Sequence, residues 1–444
     1  TMQKQQIRKG FSRLNKEQKI DLTASYFEDP AAAARELKSF WHNDPDIQKK
    51  LDEFAENTIS NFFFPYGIAP NFVINGNMYL VPMVIEESSV VAAASNAAKF
   101  WAEKGGFHAE VVSMTKIGQV HFIWEGDKEK LRSAMPEIRE KLIAETDHIT
   151  ANMRKRGGGI LDIGLVDMTD KMDHYFQLKA SFNTADSMGA NFINSCLEEF
   201  GLLLKRFLQE DKRFTGKEKD CDIVMAILSN YTPECLVRTW VECDIEEFSG
   251  VDRNMDARQF AKKFERAVRI AQEDTYRATT HNKGIMNGVD AVVLATGNDF
   301  RAIEACAHTY ASRNGQYASL TDISLEQGRF RYELTIPLAL GTVGGLTSLH
   351  PLARFSLELL NNPGAEQLMM IAATAGLANN FSAIKSLITK GIQVGHMKMH
   401  LFNILNHIGV TREEKEKAID YFKDKKVSFS NVKELVANLR KGKS

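Results

Sequence analysis

Between residues 157 and 228 the spacing of apolar residues changes period twice, and this change limits the fold more than any other feature of the chain. After the run Gly157-Gly158-Gly159, Leu161, Ile163 and Leu165 recur at every second position, as do Phe176, Leu178, Ala180 and Phe182 beyond the polar turn Thr169 to Asp173. Period two marks strands with one buried face. Phe192, Ile193, Cys196, Leu197 and Phe200 then recur at helical spacing, and Ile223 to Leu228 returns to strand-like composition. Upstream, residues 108–126 give two short strands hinged near Gly118, and a charged helical stretch follows to about residue 155. Strands and helices in this order describe a compact α+β unit set inside a larger domain.

The remainder is less regular. Residues 15–60 read as helical, Asn75-Gly76 signals a hairpin within 71–85, and Val90 to Trp101 is an Ala-rich helix. Val289 to Ala295 reads as a buried strand, Phe300 to Ala311 as a helix, and the chain after Gly391 as a helical appendage rich in Lys and Glu. A length of 444 residues suits about three domains. The net charge of -1 lacks the basic footprint of a nucleic-acid binder. The longest apolar-looking stretch, Thr335 to Leu346, carries Pro337 and three glycines and falls short of the ~20 residues of a spanning helix, so a soluble protein is expected, with no membrane partner. Five cysteines without Cys-x-x-Cys spacing, and an N-terminus without an apolar run, suggest a reducing cytoplasm.

Several short segments are suited to chemistry. No Gly-x-Gly-x-x-Gly joins a strand to a helix, so a Rossmann site has no support. Asp186-Ser187-Met188-Gly189-Ala190-Asn191 instead joins a period-two strand to an amphipathic helix. The unpaired N–H groups of that helix start suit a pyrophosphate, and simple N-capping accounts equally for Asp186 or Ser187. In Val84 to Ser89 the adjacent carboxylates Glu86 and Glu87 either decorate a helix start or supply a proton donor held half out of water. Arg277 to Gly288 gathers two cations, a His, two Asn and two Gly in 12 residues. It reads as a segment outside the core, either a solvated loop or tight backbone against a ligand. There Lys283 suits a developing oxyanion, and Arg277 a carboxylate or phosphate. Asp299, closing the strand expected at 289–295, is an N-cap or the partner of a lysine. His396 and His400 share a helix face but lack the further ligands of a zinc site, so no metal is expected; His396, beside Gly395, suits a mobile acid.

Taken together and in order, these segments resemble the class II (bacterial-type) 3-hydroxy-3-methylglutaryl-coenzyme A reductases along almost the whole chain. Glu56-Asn57-Thr58-Ile59 with Pro65-Tyr66 and Asn71-Phe72 looks like the family's first motif, and Val84 to Ser95 like its acid motif. Asp186 to Asn191 matches its dinucleotide motif, Arg277 to Gly288 its lysine motif, Ala295 to Asp299 its aspartate motif, Gly341 to Pro351 its glycine-rich stretch, and Gly391 to His400 its histidine segment. The resemblance implies catalytic roles for Glu87, Lys283, Asp299 and His396. It implies substrate contacts from Ser89, Arg277, Asn287 and Asn379, and cofactor contacts from Asp186, Met188, Gly189, Ala190, Asn191 and Asn230. Ser60 stands where the family usually has Gly, and Asn379 where it often has Gln.

The architecture implied is a large mixed domain, α+β or α/β, over 1–112 and 231–387. A small non-Rossmann, ferredoxin-like cofactor domain is inserted at 113–230, and a C-terminal helical flap covers 388–444. The activity implied is the four-electron, NADH- or NADPH-dependent interconversion of 3-hydroxy-3-methylglutaryl-coenzyme A with mevalonate and coenzyme A, by a cytoplasmic homodimer or higher oligomer with interfacial active sites. Another acyl-coenzyme A reductase on this scaffold, or an inactive coenzyme A or nucleotide-binding module, are the alternatives. Cofactor choice is expected to lie in Thr146 to Arg156. There Asp147 favours a free ribose 2′-hydroxyl, while Arg154, Lys155 and Arg156 favour a 2′-phosphate.

Overall fold

The computed structural model describes residues 9–389, 392–423 and 425–441, without the side chains of 392–399. The basic start of the chain before residue 9, Gly391, and the side chain of His396 therefore lie outside the described residues. Residues 15–60, read as one helical stretch, form three short helices: α1 (Lys16–Ala24), α2 (Pro30–Ser39) and α3 (Pro45–Asp52). Two Asp-Pro pairs impose the breaks. Asp29 and Asp44 cap the next helix, Pro30 and Pro45 take its first position, and the residue before each proline is extended. Beyond them the chain runs without a helix to the hairpin β1 (Tyr66–Ile74) and β2 (Asn77–Val84). Its turn, Asn75-Gly76, has positive φ at both residues, as a two-residue hairpin turn requires.

After α4 (Val90–Ala102) come β3 (His108–Met114) and β4 (Lys116–Trp124). The break between them is Thr115, not Gly118, and the two strands enter different sheets. Gly118 lies inside β4, where a Cβ would sit 2.4 Å from Leu197. It lets a helix press onto the strand and makes no hinge. Then follow α5 (Lys128–Glu145), α6 (Asp147–Lys155), β5 (Gly159–Asp167), β6 (Tyr175–Asn183), α7 (Ala190–Glu210) and β7 (Cys221–Leu228). They build an antiparallel sheet of order β5-β6-β4-β7. Phe122, Phe176, Leu178, Phe182, Leu197 and Phe200 fill a core belonging to this unit alone.

The chain continues through β8 (Cys235–Asp244), α8 (Ala257–Glu273), α9 (Thr275–Ala295), α10 (Phe300–Ala311), β9 (Thr321–Ser324), β10 (Arg329–Pro337), α11 (Leu346–Leu349), α12 (Pro351–Leu359) and α13 (Ala365–Thr389). A second sheet, of order β3-β8-β10-β9, shares one large core with α4, α8, α9 and α13. Val289 to Ala295, expected as a strand, is the end of the 21-residue helix α9. Packing from β2, α8, α10 and α13 surrounds that helix, so its end is apolar nearly all round and carries no helical period to read. Finally α14 (Ile392–Ile408), α15 (Arg412–Tyr421) and α16 (Phe429–Lys441) enclose a third, small core around Leu405, Ala418 and Val432, as expected for a helical appendage. The whole is a mixed α+β architecture with antiparallel sheets.

Candidate active site

The segment expected to lie outside the core, Arg277 to Gly288, is helical and two-faced. Its inner face is hydrogen-bonded into the core, with only His281 Nδ1 left without a partner among the described residues. His281 Nε2 pairs with Thr321 Oγ1 at 2.7 Å, and burial, with the nearby Arg277, pushes its pKa down to about 3. Asn282 donates to Ala318 O at 2.9 Å and accepts from Leu320 N at 3.0 Å. Asn380 of α13 donates to His281 O at 2.8 Å and accepts from Tyr332. The glycines serve helix packing: a Cβ at Gly288 would lie 2.3 Å from Ala375 O, and one at Gly376 would lie 2.7 Å from Val289. Asn379 is buried at this crossing and turns its amide back to Ala375 O at 3.3 Å.

The outer face is unpaired. Lys283 is exposed and Asn287 half-buried one turn further on. Neither side chain has a hydrogen bond or ion pair among the described residues, and the same holds for the half-buried guanidinium of Arg277, whose pKa burial lowers. Glu87 is exposed on the turn between β2 and α4. Ser89 caps α4 with a left-handed backbone (φ 75°) and no side-chain cap bond. A non-glycine residue held there stores backbone strain, a recurrent mark of functional turns.

The elements carrying these residues pack together, since α9 touches β2, α4, α10 and α12. Asp299 caps α10, accepting from Arg301 N and Ala302 N, both at 3.1 Å, and facing the Arg301 guanidinium at 3.2 Å. Within one chain, no hydrogen bond or ion pair among the described residues joins Lys283, Glu87 and Asp299. His400 is exposed on α14, whose backbone also carries His396.

The turn from Thr184 to Gly189 is held from three sides. Asp186 O accepts from Thr342 N at 2.8 Å, and its carboxylate caps α13 by accepting from Ala365 N at 2.8 Å. The glycine-rich stretch lies directly on the turn: Ser187 bridges Val343, and a Cβ at Gly341 would meet Met188 N at 2.4 Å. Gly341 N in turn donates to Asn298 beside Asp299, at 2.8 Å. Gly189 has φ 85°, and a Cβ there would meet Thr184 Cγ2 at 2.2 Å. The helix α7 therefore starts at a close-packed turn that has no side-chain cap. Asn230 is exposed and shares a small cleft with Met188 and Ala190, so the structure gathers these cofactor candidates. Behind the turn a cavity of about 500 Å³ is lined by Tyr79, Arg156, Asn183, Asp186, Glu366 and Gln367.

Sequence reasoning missed the tie from Asp186 to α13, the contacts of Asn298 and Gly341, and Lys116 beneath the turn. Lys116 alone left a trace, as the one charge on the inward face of β4 with Gly118, Val120, Phe122 and Trp124.

Fold and site together present an unpartnered polar helix face and a close-packed, uncapped helix start on one mixed α+β scaffold. The family model of hydroxymethylglutaryl-coenzyme A reductase matches residues 20–401. The 3-hydroxy-3-methylglutaryl-coenzyme A reductase of Archaeoglobus fulgidus is 34% identical over 97% of this chain and 94% of its own length. A probable 3-hydroxy-3-methylglutaryl-coenzyme A reductase of Borreliella burgdorferi is 32% identical, over 87% of this chain and 84% of its own. Among solved structures, the class II enzyme of Streptococcus pneumoniae bound to NADPH in open conformations superposes with a TM-score of 0.70 at 34% identity, covering 86% of this chain and 99% of that one. The chain belongs to the hydroxymethylglutaryl-coenzyme A reductase family, and its likeness is to the class II members.

Proposed function

We propose that the chain reduces 3-hydroxy-3-methylglutaryl-coenzyme A to mevalonate and coenzyme A, or runs the reverse oxidation, in the mevalonate route to isoprenoids. One observation carries the catalytic reading. Ser89, Arg277, Lys283 and Asn287 carry polar side chains without hydrogen-bond or ion-pair partners among the described residues, on elements packed around one helix whose other face is bonded into the core. A reduced nicotinamide dinucleotide bound at the start of α7 would supply the hydride for each of the two reductions, of the thioester and of the aldehyde. Lys283 holds the oxyanion formed at each stage. Glu87 donates and accepts the protons, and Asp299 completes the set beside Lys283. Arg277 and Ser89 bind the substrate carboxylate, and Asn287 orients its carbonyl end. His396 protonates the departing coenzyme A thiolate. The thioester plus two reduced nicotinamides and two protons balances to mevalonate, coenzyme A and two oxidised nicotinamides.

The residues present fit the dinucleotide. Gly189, Ala190 and Asn191 offer backbone N–H groups at the uncapped start of α7, and Met188 and Asn230 flank them. NADPH is the cofactor favoured here. Asp147, the acid that would choose NADH, is paired with Arg154, whereas Arg156 lines the cavity beside Asn183 and Asp186.

The working domains are then 1–112 with 231–387, the inserted ferredoxin-like cofactor domain 113–230, and the flap 388–444. Separate cores in these three parts support that division. A homodimer completes the site in the cytoplasm. Supporting it, Phe62, Phe63, Ile68, Leu349, Leu352 and Phe355 leave large apolar surface exposed near β1 and α12. No helix among the described residues is long and apolar enough to cross a membrane. The test is nicotinamide absorbance with 3-hydroxy-3-methylglutaryl-coenzyme A, run separately with NADPH and NADH. Two cofactors oxidised per thioester, faster with NADPH, is the expected result. Folded protein oxidising neither contradicts the proposal.

A further inference from the structure

Lys116 opens β4 and is 3% exposed. Its ammonium donates to Thr184 Oγ1, to Ser187 O at 2.8 Å and to Met188 O at 2.9 Å, which uses all three of its protons. Thr184 Oγ1 donates in turn to Ser187 O at 2.8 Å. A buried ammonium is normally matched by a carboxylate, because an isolated charge in the interior is costly. Lys116 forms no ion pair among the described residues. Burial lowers its pKa, and the one titratable group that opposes this is Cys235 of β8. That thiol is itself pushed up to about 11 by burial and so stays neutral, and Cys306, next to it, is raised likewise. The Asp186 carboxylate, in the same turn, is committed to Ala365 N.

We propose that Lys116 is a positioning residue for the dinucleotide: it turns the carbonyls of Ser187 and Met188 inward, so that the N–H groups from Gly189 onward face the cofactor, and its unmatched charge is answered by the bound pyrophosphate. The inference rests on the reading of residues 186–191 as the cofactor turn. The fold supplies a cation under an anion-receiving helix start, and two carbonyl oxygens that would otherwise repel the anion are held away from it. Cofactor binding and the protonation of Lys116 are therefore linked: each favours the other.

The test is NADPH titration of the whole protein by fluorescence, from about pH 7 to about pH 10.5, an upper limit set by the ordinary lysine range. The wild type should bind less tightly as pH rises and the ammonium is lost. Lys116→Met should weaken NADPH at least about tenfold at pH 7, and its affinity should no longer fall at high pH. Its KM for NADPH should rise far more than its kcat falls, with affinity for 3-hydroxy-3-methylglutaryl-coenzyme A unchanged. Lys116→Arg keeps the charge and should bind within about threefold of wild type, without the alkaline fall, because a guanidinium stays protonated. If Lys116→Met does not fold, the arginine variant still decides: an alkaline fall like that of the wild type overturns the proposal. NADPH binding by Lys116→Met within twofold of wild type, with the same pH profile, overturns it as well. Wild-type protein that binds no NADPH at any pH would instead remove the cofactor reading, and the proposal with it.

Discussion

The proposed cofactor turn and the outer face of α9 are built in opposite ways. From Thr184 to Gly189, the backbone is bonded to Lys116 below, to Thr342 and Val343 above, and to α13 through Asp186. Lys283 and Asn287 have exposed or half-exposed side chains with no partner among the described residues, although their neighbours are bonded into the core, His281 through Nε2 and Asn282 through its whole amide. On the function proposed above, one region is a receptor finished within a single chain, and the other presents donors for a substrate or for groups of a second chain. Rigid backbone suits a ligand bound the same way in every turnover, while unpaired charge suits the reacting atoms, where bonding has to strengthen in the transition state.

Breaking the unpaired side should have the largest effect on rate and almost none on stability. Lys283→Ala should slow reduction of both the thioester and free mevaldehyde by about a thousandfold, as loss of an oxyanion donor does, with an unchanged thermal midpoint. Comparable rates for the two proteins would remove Lys283 from the chemistry. Breaking the packed face should do the reverse. Gly288→Ala places a methyl 2.3 Å from Ala375 O, so urea unfolding should show a loss of about 1–3 kcal/mol. A variant as stable as wild type would show that α9 and α13 can move apart at little cost.

The smallest effect concerns the half-buried pair Asp290, at the far end of α9, and Glu304 of α10. Burial, reinforced by Glu304, holds the Asp290 carboxyl well above the usual carboxylate range, and its Oδ1 has no partner. Glu304 in turn is lowered, first by His308 at 2.5 Å. The shared proton therefore sits on Asp290. A raised folded-state pKa stabilises fully below the unfolded value of about 3.9, and the contribution is lost as pH rises through the folded value. Asp290→Asn should keep its thermal midpoint better than wild type on going from about pH 5 to about pH 9, by a few degrees. Parallel pH curves would show that no proton is shared there.

How much of this was legible in the sequence depended on where each residue's partners lie. The period-two strands and amphipathic helix of residues 157–210, and the Asn75-Gly76 turn, were readable because their partners are local. Val289 to Ala295 was misread because a helix end enclosed on every side shows no period, and Asp29-Pro30 and Asp44-Pro45 were passed over as helix breaks. Lys283 and Asp186 stand out by motif. What motif could not convey was that Asp186 reaches 179 residues onward to cap α13, or that Gly288 and Gly341 answer to a neighbouring backbone and not to a ligand. Those contacts exist only once distant segments have packed.

The proposal that a second chain completes the catalytic face but not the cofactor turn is tested most directly in a monomeric variant, for example Leu352→Glu on the exposed apolar surface. NADPH titration and thioester reduction would be measured on the same folded monomer, its state checked by sedimentation. NADPH affinity should stay close to that of the wild type, with reduction lost. A monomer that reduces the thioester at the wild-type rate would contradict it.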